Sequence, residues 1–183
     1  MNTALVTGAA VVAIALAALV YYNSLVRART MVDEGWSGVD VQLRRRQDLV
    51  PNLVSTVKGY AAHEVQTLEA VTGARSAAVA ADDPDEATQA ENSLAAALGK
   101  LLAVAEAYPD LKASDNFLKL QAELADTENE IAAARAIYNG NVRIFNSKVQ
   151  SFPGMLVAKP FGFTARAFFQ AEATERVAAS VTI

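Results

Sequence analysis

No charged side chain occurs before Arg27, and from Ala4 to Tyr22 the chain reads ALVTGAAVVAIALAALVYY, apolar apart from Thr7 and Gly8. In a helix this stretch reaches roughly 28 Å at about 1.5 Å per residue, close to the thickness of a bilayer's hydrocarbon core. It predicts a transmembrane helix with the lipid bilayer as its partner. The rival is a cleaved secretory signal, which carries a basic n-region, whereas only Met1, Asn2 and Thr3 precede the run. The run also exceeds a typical signal h-region, although the Ala-rich stretch around Ala15 to Ala18 imitates a cleavage site, so the reading is an uncleaved anchor. Arg27, Arg29 and the triplet Arg44, Arg45 and Arg46 follow the span, and no Lys or Arg precedes it. The positive-inside rule then puts the N-terminus outside and the body in the cytoplasm, as a single-pass protein of the cell membrane.

The residues beyond the anchor, about 160 of them, suffice for one domain with a core and are too few to predict two. A formal charge of −4 and a pI near 5.0 oppose nucleic-acid binding, which needs concentrated positive charge. The Arg44–Arg46 triplet spreads around a helix instead of forming a stripe, and reads as a solvated face near anionic headgroups. With no cysteine there is no disulfide, thiolate catalyst or thiolate metal site. Abundant Ala, with few Gly and Pro, points to an all-helical fold.

Beyond the span, Tyr22, Leu25, Arg29, Val32, Trp36, Val39 and Leu43 continue at alternating three- and four-residue spacing, a heptad-like seam with Arg29 as its polar intruder. One rod is expected to lead from the bilayer into the domain. Gly35 and Gly38 either weaken it or admit a neighbouring helix. A break is expected around Arg46 to Pro51, with Asp48 capping and Pro51 opening a second helix that carries Leu53, Val54, Val57, Tyr60, Ala61, Leu68 and Val71. Ala81 to Glu86 is an acidic, Pro-bearing loop whose carboxylates favour the start of a third helix, with Leu94, Leu98, Leu101, Leu102, Ala105 and Tyr108 on one face. Pro109 ends it. Ser114 or Asp115 opens a fourth, striped by Phe117, Leu120, Leu124, Ile131, Tyr138, Val142, Phe145, Val149 and Phe152, and stopped at Phe152-Pro153-Gly154. The expected architecture is all-α: residues 1–3 outside, a transmembrane helix over 4–22, an antiparallel four-helix bundle over 23–154, and an aromatic-rich C-terminal tail over 155–183. Phe161, Phe163, Phe168 and Phe169 give that tail more apolar surface than water tolerates, so it should cover the bundle, a neighbouring subunit or lipid.

Several stretches resemble one family. They are Tyr22-Asn23-Ser24-Leu25-Val26, Trp36-Ser37, Val41 through Val54 (VQLRRRQDLVPNLV), Val57-Lys58-Gly59-Tyr60-Ala61 with His63-Glu64, and Ala107 through Ala113 (AYPDLKA). Asn116-Phe117, Glu128-Asn129, Ala134-Arg135, Tyr138-Asn139, Asn146 and Phe152-Pro153 continue the likeness over nearly the whole chain. The chain resembles the LemA family. That resemblance implies a single-pass bacterial membrane protein with an antiparallel helical bundle, no established enzymatic activity and no agreed catalytic or ligand-binding residues.

His63 is the only histidine, and the second His of a zinc-protease helix is replaced four positions on by Thr67. A di-metal site of ferritin type needs two Glu-x-x-His motifs, which one His cannot supply. Glu64, Glu128 and Arg135 read as a polar layer within the bundle, Glu128 and Arg135 falling seven residues apart on one helical side as a candidate buried ion pair. The Asn residues at 23, 52, 116, 129, 139, 141 and 146 read as caps and interhelical hydrogen bonds, or else as a polar groove for a partner peptide. No phosphate loop, Gly-x-Ser-x-Gly turn or cysteine nucleophile is present.

The expectation is therefore a non-enzymatic scaffold or assembly module without cofactor, metal or catalytic residues. It would self-associate as a homo-oligomer and bind unidentified membrane or cytoplasmic proteins. The alternative is a ligand-binding, metal-binding or enzymatic site between helices around Glu64, Glu128 and Arg135.

Overall fold

A computed structural model describes residues 2–81 and 83–169, and the expectation for the tail beyond Phe169 lies outside the described residues. Every regular element among the described residues is helical: α1 (Asn2–Tyr60), α2 (Val65–Ala80), α3 (Pro84–Ala105), α4 (Pro109–Lys112), α5 (Asp115–Gln150) and α6 (Gly154–Ala158). The chain divides into two compact units, one holding residues up to Trp36 with Ile137–Phe168, the other Ser37–Ala136 with Phe169.

In the first unit, α1 begins as the apolar run, long and apolar enough to cross a membrane. Leu5, Val6, Val11, Val12, Ile14, Leu16, Leu19 and Val20 are each 58–70% exposed, so the described residues leave them largely uncovered. Helical backbone satisfies its own hydrogen bonds, which makes such a segment stable in hydrocarbon and costly in water. From Tyr22 onward the helix gains cover. Leu25, Ala28 and Val32 are buried, as are Tyr138, Val142 and Phe145 of α5. Arg29 does not hold the seam position: Ala28 does, and Arg29 faces outward, 3.9 Å from Asp33. Lys148 Nζ donates to Ser24 Oγ at 2.7 Å, and Asn141 Nδ2 donates to the Met31 carbonyl at 2.7 Å. Gly35 lets α5 come close, since a Cβ there would lie 3.3 Å from Tyr138 Cα and 3.1 Å from Asn141 Nδ2.

The segment after α6 is irregular to Phe169. Asn146 holds it reciprocally, its Nδ2 donating to the Arg166 carbonyl and its Oδ1 accepting from Arg166 N, both at 2.8 Å. Tyr138 OH donates to the Ala167 carbonyl at 3.0 Å. Phe163 is buried, with its ring centroid 5.8 Å from Tyr22 and 6.4 Å from Phe145. This part of the tail covers its own chain.

The second unit has one apolar core, drawn from Val50, Leu53 and Val57 of α1, Leu68 and Val71 of α2, Leu94, Leu98 and Leu101 of α3, Leu111 of α4, and Phe117, Leu120 and Leu124 of α5. Each fully buried Leu contributes about 1.5–3 kcal/mol of transfer free energy. α3 starts as the acidic loop predicts: Asp83 accepts from Asp85 N at 2.8 Å and Glu86 N at 2.9 Å, with Pro84 in the first turn.

The expected break at Arg46 to Pro51 is absent, and α1 runs through it to Tyr60. Proline has no N–H for the carbonyl four residues back, here that of Gln47. Arg75 of α2 fills the vacancy, its Nε donating to the Gln47 carbonyl at 2.7 Å. A side chain from another helix thus replaces the lost backbone bond. The turn falls instead at Ala61 to Glu64, where Glu64 N donates to the Ala61 carbonyl at 3.1 Å.

Candidate functional site

The most deeply buried charges form a cluster on α1, α3 and α5. Buried residues of α1 follow Val39, Leu43, Arg46, Val50, Leu53 and Val57, alternating four and three, so Arg46 falls on the core seam where an apolar residue would normally lie. Those of α3 follow Ala87, Glu91, Leu94, Leu98, Leu101 and Ala105, which puts Glu91 in the same kind of position. Arg46 is 0% exposed and Glu91 1%. Arg46 Nη2 donates to a Glu91 carboxylate oxygen and, at 3.3 Å, to the Glu91 carbonyl, while its Nη1 donates to Glu128 Oε1 at 2.7 Å. Gln47 Nε2 donates to the second Glu91 oxygen. Arg46 Nε is left without an acceptor. Burial pulls the Arg46 pKa down, but attraction to Glu91 and then Glu128, reinforced by the hydrogen bonds, outweighs it and raises the value above the ordinary one. Arg46 stays a cation in the core, held by one buried and one half-exposed carboxylate.

The three arginines of the triplet therefore do not share one solvated face. Arg44 and Arg45 are exposed, Arg44 Nε pairing with Asp40 at 2.9 Å, while Arg46 points inward.

Glu64, Glu128 and Arg135 have separate partners. Glu64 accepts from Tyr108 OH at 3.2 Å at the α1–α2 turn. Burial, then the hydrogen bond to Glu64 and its negative charge, raise the Tyr108 pKa, so the phenol remains a donor. Glu128 joins Arg46, which lies 14 residues before the end of α1, about 21 Å along the helix. Arg135 sets its guanidinium 4.5 Å from the Phe169 ring centroid, a cation–π arrangement. His63 is exposed in the turn after α1. No group of three or more metal-ligating side chains occurs among the described residues.

Of the asparagines singled out in the sequence, Asn116 donates to Thr56 Oγ1 at 2.9 Å, while Asn141 bonds to Met31 and Asn146 to Arg166. These three act as connectors between segments. Two surface grooves of the second unit, of about 410 and 530 Å³, are lined by Val54, Lys58 and Thr72 in one case and by Thr67, Ala74 and Lys100 in the other. Glu64, Glu128 and Arg135 line neither groove. Sequence reasoning missed Glu91, Gln47 and Arg75. For Glu91 a signal existed: the Leu94 to Ala105 stripe, extended back by three, lands on it.

What this arrangement does chemically is to hold helices together through charge-assisted hydrogen bonds. Protein LemA of Metamycoplasma hominis is 31% identical over 156 residues, covering 85% of this chain and 71% of the relative. Magnetosome protein MamQ 2 of Paramagnetospirillum magneticum is 25% identical, covering 87% of this chain and 68% of the relative. Magnetosome protein MamQ of Magnetospirillum gryphiswaldense is 23% identical, covering 82% and 65%. The LemA family profile matches residues 35–183, well over half of the sequence, so this chain belongs to the LemA family.

Proposed function

We propose that this protein is a membrane-anchored, non-enzymatic helical scaffold, self-associating at the cytoplasmic membrane, with its N-terminus outside and its core in the cytoplasm. The observation that carries the reading is the composition of α1: its first part exposes apolar side chains that only lipid satisfies, and Val39, Leu43, Val50, Leu53 and Val57 of the same helix are buried. An antiparallel bundle is supported in the first unit by the pairs Ser24 with Lys148 and Met31 with Asn141, and in the second by Arg46 with Glu128 and Thr56 with Asn116. The family is not a known enzyme family, and the strongest polar cluster spends its hydrogen bonds internally. Exposed Val41, Val79 and Leu118 offer apolar surface for a second copy. The orientation rests on Arg27 and Arg29 beside the span.

Measuring the mass of the full-length protein in mild detergent tests the scaffold: oligomers are expected, and a strict monomer at every concentration would refute it. A C-terminal reporter tests the orientation, which fails if the reporter works only outside the cytoplasm. Stoichiometric metal in the purified protein would favour the ligand-site alternative around Glu64, Glu128 and Arg135.

A further inference from the structure

The first unit carries a second apolar surface besides the anchor. Phe152 is 77% exposed, Leu156 63%, Phe161 63% and Met155 49%, all within or beside α6. Scattered apolar residues need no explanation, but four within ten residues make a patch. It lies beside the end of the apolar run of α1. A Cβ built at Gly154 would lie 3.9 Å from Tyr21 Cδ1, and the Phe161 ring packs edge-on against Tyr22 with centroids 5.0 Å apart. Tyr21 and Tyr22 end the apolar run, where aromatic side chains mark the boundary between hydrocarbon and headgroups. Phe161 reaches further, closing an apolar notch of about 450 Å³ with Ala15, Ala18 and Leu19, residues inside the span.

We propose that α6 and its flanks are an interfacial membrane contact, pressed into the leaflet from which α1 emerges, with the Phe161 notch taking part of an acyl chain. This rests on the reading that α1 crosses the bilayer. Phe152, Met155 and Leu156 lie in the headgroup boundary, and exposed Lys159 at the end of α6 meets lipid phosphates. The chain thus grips one leaflet at two places, which fixes the tilt and rotation of the anchor. The packing of Gly154 maintains this placement: its Cβ position lies 2.2 Å from the Lys148 carbonyl oxygen, so a larger residue would push α6 away from Tyr21.

Because the chain has no cysteine, single substitutions place a nitroxide label cleanly. Full-length Phe152→Cys, Leu156→Cys, Leu19→Cys and Ser93→Cys proteins would be labelled and reconstituted in phosphatidylcholine–phosphatidylglycerol vesicles. Accessibility to oxygen and to a water-soluble nickel chelate is then read at each site. The expected result is loss of chelate access at 152 and 156 with oxygen access kept, as at 19, while 93 remains open to the chelate. Chelate access at 152 and 156 equal to that at 93 would overturn the proposal. So would loss of both oxygen and chelate access with spin–spin broadening, which would show a second copy covering the patch. Chelate access at 19 would overturn the spanning reading itself, and this proposal with it.

Discussion

Replacing Glu91 by Gln keeps the shape of the side chain but removes the charge that holds Arg46 in the core, and turns one of the two oxygens that accept from Arg46 and Gln47 into an NH2 donor. Arg46 is then left with Glu128, whose side chain is 44% exposed and screened by water. Breaking a buried pair from one side costs about 3–5 kcal/mol, because the remaining charge has no adequate partner. For a chain of this size 1 kcal/mol moves the melting temperature by about 2–4 °C, so Glu91→Gln should lower it by roughly 6–20 °C. Glu128→Gln removes a hydrogen bond at the edge of the core, and after discounting for exposure its cost is about 1 kcal/mol. The double variant Arg46→Met, Glu91→Gln removes both buried charges and leaves Gln47 an amide oxygen to donate to. It should recover most of the loss, since apolar replacements of buried pairs are often neutral or better. Thermal melts of the full-length protein in detergent, followed by circular dichroism, read all three. If Glu91→Gln were no more damaging than Glu128→Gln, or if the double variant melted no higher than Glu91→Gln alone, the assignment of Arg46 as a charge held chiefly by Glu91 would be refuted.

Arg75→Ala should cost about 1–2 kcal/mol by orphaning the Gln47 carbonyl, and less in a Pro51→Ala background, where the backbone N–H returns; equal losses in denaturant midpoint in both backgrounds would refute the substitution of side chain for backbone. Gly38→Ala, whose Cβ meets nothing within 4 Å, should stabilise by about 1 kcal/mol through helix propensity. Gly35→Ala should fail to give that gain because Tyr138 Cα stands 3.3 Å away, and a comparison of melting temperatures checks both. Asp83→Ala should cost about 1 kcal/mol by uncapping α3, seen in the same melts, with no loss counting against the cap.

The long apolar helix at the start of α1, the seam that follows it, the stripe of α3 and the acidic start at Asp83 were legible because periodicity and capping are local signals. The continuity of α1 through Pro51 was not, because it depends on Arg75, which is 24 residues further on and reaches Gln47 only after folding. Arg46 was misread for a related reason: an Arg triplet looks solvated unless the heptad is carried through it, and its partner Glu91 lies 45 residues away. Glu128, read from the sequence as half of a buried ion pair, stands half-exposed at the edge of the core. Its cation was sought on its own helix at Arg135, and the structure supplies Arg46 from another helix. Phe152, expected inside the α5 stripe, lies beyond the helix end and is exposed, as is Tyr60 at the end of α1.

A core cluster of this kind does more for a heptad protein than its net energy suggests. The α1 seam repeats Val39, Arg46 and Leu53 at seven-residue intervals, and the α3 stripe repeats Glu91 and Leu98. Had position 46 been Val or Leu, sliding α1 by one heptad against α3 would exchange one apolar contact for another at little cost. With Arg46 present, the same slide sets a guanidinium against Leu98 and an aliphatic side chain against Glu91, leaving two buried charges without partners. Each uncompensated charge costs several kcal/mol, against a net stability of about 5–15 kcal/mol for an ordinary domain. The slipped arrangement is therefore excluded by charge where apolar packing alone would tolerate it. Gln47, Arg75 and Pro51 extend the same layer to α2 through one backbone carbonyl, so a single stretch of α1 sets the register of three other helices in this unit.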